Sequence, residues 1–193
     1  AVATTAPPPA LSEDQRVYDL TGRSLDEDEL GDVRAAVDRV VAAGADPVVV
    51  VRALLATPEE TLDQVEQLQV AWVEATGAPR DTAVAVLVNR NPDDDTDARA
   101  GIFVGATYDD GNVPRGEQEA IVVEALIPPL RDGDVAASLV GALEHAHAAL
   151  LHERAVNGAQ GAREGGPRGH AQHGGLAVHR APGVDHGIGC PHQ

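Results

Sequence analysis

The chain has 193 residues, enough for one domain with a substantial core and too few for two full ones. Its 31 acidic and 14 basic residues give a formal charge of -17, and every basic residue is an arginine. Such a surface repels the phosphates of nucleic acids and anionic membranes, the missing lysine removes P-loop, Schiff-base and Ser-Lys chemistry, and an aromatic content of 2% leaves no base-stacking platform.

The chain opens on a Pro/Ala/Thr-rich stretch without an initiator methionine, which is what remains after a signal peptide is cut at a small-residue site; a trimmed chain would look the same. Residues 1–14 are therefore expected to be a leader or linker, 15–154 a folded domain and 155–193 a disordered Gly/His-rich tail. From Ala155 onward Arg163, Arg168 and Arg180 face Glu164 and Asp185, so the tail is +1 and the remainder carries -18.

A short edge strand is expected at Val17-Tyr18. Ser24 followed by Glu27 reads as a capping box, opening a helix that turns Leu30, Val33, Val37, Val40 and Val41 inward and stops near Gly44. Val48 to Val51 is a continuous β-branched run, which implies a strand covered on both faces. Thr57, Pro58 and Glu60 open a second helix, with Leu62, Val65, Leu68 and Trp72 facing inward and Gly77 closing it. Ala83 to Val88 and Ile102 to Val104 are strands with no room between them for a crossover helix, so an antiparallel hairpin with a long acidic loop is expected. A third helix from about Gly116 must end at Pro128-Pro129, and Asp132 or Asp134 caps a fourth that buries Val135, Leu139, Leu143 and Leu150. The sum is an α/β fold: a three-layer α/β/α sandwich around a small, about four-stranded mixed sheet. No apolar run is long enough to cross a membrane, since Glu144, His145 and His147 interrupt the best candidate.

This order, with Tyr18-Asp19 leading into a capped helix, a Val-rich strand, a helix bearing Trp72 and a hairpin, resembles the TPM domain family. So does Ile127-Pro128-Pro129-Leu130-Arg131-Asp132-Gly133-Asp134, which is similar to the family's proline-ended helix, Arg and Gly-Asp step before the last helix. The resemblance covers about Val17 to Leu150. It implies an exported, extracytoplasmic protein (secreted, periplasmic or of the cell envelope), in a family where some members bind divalent cations and phosphatase activity has been attributed to several. The chain departs from the pattern at Asp81-Thr82, where Asn-Gly is usual, and at Gly105 to Tyr108, where Gly-Tyr-Gly is common. Its hairpin loop is also longer and more acidic, and no trailing membrane helix follows in the sequence.

The chemistry in the residues themselves is acidic. Asp93, Asp94, Asp95 and Asp97 crowd like charges that a hard cation would relieve, with Asp93, Asp95 and Asp97 alternating as ligands often do; the Gly and distant Glu of an EF-hand are absent. Asp109-Asp110-Gly111-Asn112 is turn chemistry after a strand, and Asp19 also follows a strand. If these regions meet at one sheet edge, Asp19, Asp93, Asp95, Asp97, Asp109 and Asp110 build one site for a divalent cation, calcium or magnesium. Arg99 and Arg131 are the candidates to hold a phosphate, although each also suits an ordinary surface pair. No Gly-x-Ser-x-Gly elbow and no His-Glu-x-x-His pair occurs, Cys190 is alone, and His145 and His147 cannot share a helical face. His170, His173, His179, His186 and His192 lie in the Gly-rich tail. The leading expectation is a binding or assembly module for a protein partner in a membrane-associated complex, with no nucleic-acid ligand and no membrane span in this chain; the alternative is a metal-assisted phosphatase.

Overall fold

The computed structural model describes residues 8–105 and 115–164, without the side chains of 95–96, 115–117 and 152–164. Four strands form a single sheet in the order β1 (Val17–Asp19), β2 (Asp46–Ala53), β3 (Ala83–Asn91), β4 (Asp94–Val104). β1, β2 and β3 are parallel, and β4 returns antiparallel to β3, which makes the sheet mixed as expected. Val48 to Val51 are fully buried because both faces are covered. On one face Val49 and Val51 meet α1 (Glu27–Ala42) and a long helix, α5 (Val135–Glu164). On the other, Val48 and Val50 meet α2 (Pro58–Thr76) through Val65, Leu68 and Trp72.

This layering has a topological consequence. The steps from β1 to β2 and from β2 to β3 run the same way across the sheet, yet their connecting helices lie on opposite faces, so the two crossovers have opposite hands. Val49 turns its side chain toward α1 and donates its N–H to Arg16 O, 2.8 Å away, on the β1 side. For an L-residue that places β1 to the right of β2 when viewed from α1 with the strands pointing up, so the chain moves leftward through α1. The β1-α1-β2 unit is the left-handed one, against a strong general preference for right-handed crossovers.

The helix starts obey local chemistry, with one shift from the sequence reading. Thr57 and Glu60 form the expected capping box, and Gly77 closes α2 in the left-handed region at φ 69°. At α1 the box is Asp26 with Glu29, because the Ser24 N–H is already taken by Asp19 and Ser24 cannot serve as the cap. Val41 and Leu62, expected inside, are exposed at the margins of their helices' apolar stripes.

The Pro128-Pro129 pair does not stop the chain's helical path. Neither proline has an N–H, so the carbonyls of Glu124 and Ala125 lose their usual donors four residues on. The backbone widens instead: α3 (Arg115–Ile121) passes into a π-helical turn over Val122–Leu126, where Ile127 N donates to Val122 O, and a new short helix, α4 (Ile127–Arg131), begins with its prolines in the first turn. Ser138 Oγ donates to Leu126 O at 2.8 Å and ties this irregular segment to α5. Asp134 caps α5 by accepting from Ala137 N, and Val135, Leu139, Leu143 and Leu150 are buried as expected. The helix runs on to Glu164, ten residues beyond the expected domain end at 154, through a stretch where Ala155, Ala159, Gln160, Ala162, Arg163 and Glu164 offset the helix-weakening Gly158 and Gly161.

Candidate functional site

Parallel strands bring the ends of β1, β2 and β3 to one side of the sheet, where Asp19, Arg52, Asn89, Arg90 and the β3–β4 turn gather. Asp19 and the β3–β4 turn thus lie at the same end of the sheet, the condition on which the sequence reading made a shared cation site depend. That reading misjudged the loop: β3 and β4 keep pairing until Asn91 meets Asp94, so the connection is a short turn at Pro92-Asp93 followed by a register shift. The acidic run Asp94–Asp97 thus lies within β4 itself, at the register shift between the Asn91–Asp94 and Arg90–Ala98 pairs.

Asp19 is occupied by its own chain. Oδ1 accepts from Thr21 N at 2.9 Å and from Thr21 Oγ1 at 2.6 Å, and Oδ2 accepts from Ser24 N and Leu25 N, each at 3.0 Å. Thr21 Oγ1 is also 2.6 Å from Ser24 Oγ, and Arg90 Nη1 donates to Ser24 Oγ at 2.8 Å. Since the Thr21 proton goes to the carboxylate, Ser24 accepts from Arg90 and donates to Thr21, which orders the chain from β3 to the β1–α1 loop. This network holds the loop that feeds the left-handed crossover.

Asp97 is similarly committed. Arg99 Nη1 lies 2.6 Å from its Oδ1, and Asn91 Nδ2 donates to its Oδ2 at 3.1 Å. Asp93 is exposed and its backbone N–H is bound by Asn91 Oδ1. Among the described residues, no three carboxylates, imidazoles or thiols converge on a point where they could hold a metal ion. The side chain of Asp95, and Asp109 and Asp110 altogether, lie outside the described residues; β4, the strand before the latter pair, ends at Val104, and Gly105 N donates to Ala83 O at the opposite end of the sheet from Asp19. Arg131 is exposed at the end of α4. His145 Nδ1 sits 2.9 Å from Gly141 O on its own helix, and the five histidines of the tail are outside the described residues.

A second network, on the α2 face, was not foreseen. Arg52 Nε donates to Asn89 Oδ1 and Nη2 to Gln64 Oε1, both at 2.7 Å, while Asn89 Nδ2 donates to Gln64 Oε1 at 2.8 Å and Thr61 Oγ1 at 3.1 Å. Arg52 is 8% exposed and the other three are buried, and loss of solvent pulls the Arg52 pKa below its ordinary value. The signal was legible in retrospect: Arg52 and Asn89 each follow directly on a run of buried valine or leucine, at matching register in neighbouring strands.

Fold and edge together define a mixed-sheet α/β domain whose carboxyl end carries polar networks. No known family's sequence model and no curated protein sequence matches the chain. Among solved structures it is similar to the N-terminal domain of a protein from P. gingivalis, with a TM-score of 0.58 and 17% identity over 73% of this chain and 86% of that one. The N-terminal domain of the cg2496 protein from Corynebacterium glutamicum aligns with a TM-score of 0.49 and 19% identity over 75% and 88% of the two chains. The first likeness shows a shared fold.

Proposed function

We propose that this chain is a TPM-like, extracytoplasmic domain that acts by binding, as an assembly module for a protein partner, and not by catalysis. The observation that carries the reading is the employment of the carboxylates at the sheet's functional end. Asp19 accepts four hydrogen bonds from its own loop, and Asp97 is shared between Arg99 and Asn91. A metal-assisted hydrolase needs carboxylate oxygens free to ligate a cation and a position open for water, whereas these oxygens stabilise the backbone. The described donors do not fit a calcium or magnesium ion shared between Asp19 and Asp97. The TPM assignment rests on the ordered sequence features from Val17 to Leu150, with which the fold is compatible.

The test is an assay of the purified chain with a generic phosphomonoester, with and without calcium, magnesium or manganese. The expected rate equals that without protein. Metal-dependent turnover abolished by Asp95→Ala would overturn the binding reading in favour of a phosphatase. Calorimetric titration with the same ions addresses the cation directly, with no binding expected below about millimolar, the weak end of extracellular calcium modules.

A further inference from the structure

The carboxyl end of the sheet carries apolar surface as well as charge. Leu55 is 67% exposed, Leu20 51% and Leu62 49%. Isolated exposed leucines are ordinary on protein surfaces. Here, however, the whole β2–α2 connector, Ala53-Leu54-Leu55-Ala56-Thr57, lacks any charged or amide side chain in a molecule of which 23% is charged. Connectors at this end of an α/β sheet are the usual seat of ligands, and an uncharged one leaves leucine facing water. Leu20 N donates to Val51 O and Leu54 N to Arg90 O, both at 2.8 Å, which fixes the two leucine-bearing segments at the ends of adjacent strands.

Around this surface stand exposed carboxylates: Glu27 and Asp28 on the first turn of α1, Glu59 and Asp63 on α2, and Asp93 on the hairpin. Favourable interaction with helix dipoles accounts for those in first turns. It does not neutralise them: Arg52 is engaged within the fold with Asn89 and Gln64, Arg90 with Ser24 and Arg99 with Asp97, and the exposed Arg23 of the β1–α1 loop is one cation against five carboxylates.

Resting on the binding reading above, we infer that the face formed by the Ala53–Thr57 segment and Leu20 docks a protein segment presenting lysine or arginine around an apolar side chain. The cationic groups meet the acidic rim, which sets encounter and orientation, and the apolar side chain covers the leucines, which sets how long the complex lasts. An acidic segment is repelled by the rim, and a purely basic one leaves the leucines in water.

The test uses the isotope-labelled full chain, followed by NMR during titration with three short synthetic peptides: alternating lysine and leucine, alternating lysine and serine, and alternating glutamate and leucine. The lysine–leucine peptide should shift the amides of Leu20–Asp26 and Ala53–Leu62, and should bind about tenfold more tightly than lysine–serine, as burial of about one leucine implies. Replacing Leu20→Ser together with Leu55→Ser should remove that tenfold advantage and leave the lysine–serine affinity unchanged. Both leucines are exposed, and retained dispersion of the amide spectrum verifies the fold. Shifts centred elsewhere, equal affinity for the two lysine peptides, binding of the glutamate–leucine peptide, or indifference to the double substitution would each overturn the proposed face. None of those outcomes touches the binding reading itself, which fails instead on metal-dependent phosphomonoester turnover.

Discussion

Two polar networks occupy the same end of the sheet on opposite faces, and they solve different problems. On the α1 face a carboxylate, Asp19, gathers backbone N–H groups from a loop that is partly open to solvent. On the α2 face a buried guanidinium, Arg52, is surrounded by amide oxygens from a strand and a helix. The first substitutes for missing secondary structure in a connector, while the second makes packing between preformed elements specific. Residue types that invite a catalytic reading, an Asp at a strand end and an Arg beside amides, are consumed by architecture in both places.

The α2 network should be the more costly to break. Arg52→Met leaves Asn89 Oδ1 without its donor in a buried setting, and an expected loss of about 3 kcal/mol follows from the unsatisfied oxygen and imperfect repacking. Replacing Arg52→Met, Gln64→Leu and Asn89→Leu together removes donors and acceptors alike and should restore stability to within about 1 kcal/mol of the original. Urea unfolding measures both variants, and a triple variant less stable than the single one would show that the network contributes more than mutual satisfaction. The lowered Arg52 pKa means that the folded state holds this proton less tightly than the unfolded one. Its effect is to raise stability with increasing pH only where arginine begins to deprotonate, so stability across neutral pH should be indifferent to this group.

Asp19→Ala tests the other side of the comparison. Four hydrogen bonds are lost, but the freed N–H groups of a part-buried loop reach water, so the expected cost is about 2 kcal/mol. Hydrogen exchange should speed up at Ser24, Leu25 and the first turn of α1 while α2 keeps its protection. Uniform acceleration would mean that the loop network supports the whole molecule and not just the left-handed crossover.

The sequence disclosed the fold well because its determinants are local or periodic. The valine runs at Val48 and Ala83 announce a sheet covered on both faces, and Thr57-Pro58-Glu60 marks a helix start to the residue. Where a side chain acts over a distance, the reading slipped. Ser24 looks like a cap until Asp19, five residues earlier, takes its N–H. Pro128-Pro129 looks like a stop, yet the helical path continues through a π turn closed by Ile127 N on Val122 O, with Ser138 Oγ bonding Leu126 O. The candidate site suffered most, since hydrogen-bond partners decide whether an aspartate is a ligand or a brace, and partners are set by tertiary structure. Composition revealed that acid gathers in the folded part, but not that Asp97 turns to Arg99.

The smallest expected effects separate local from tertiary contributions. Asp26 and Thr57 cap α1 and α2 with the same reciprocal geometry, both at the carboxyl end of the sheet. Each alanine substitution should cost about 1 kcal/mol, the usual value for an N-cap. The two need not respond alike to a second change. Asp26 follows directly on the loop held by Asp19, so Asp26→Ala combined with Asp19→Ala should cost less than the sum, because the first loss already loosens the start of α1. Thr57 makes its cap with Glu60 and starts the helix on the other face, and Thr57→Ala should add to Asp19→Ala within about 0.5 kcal/mol. Double-mutant cycles read by urea unfolding resolve the difference. Equal additivity for both caps would remove the link between the Asp19 network and helix α1, leaving the carboxylate a feature of the loop alone.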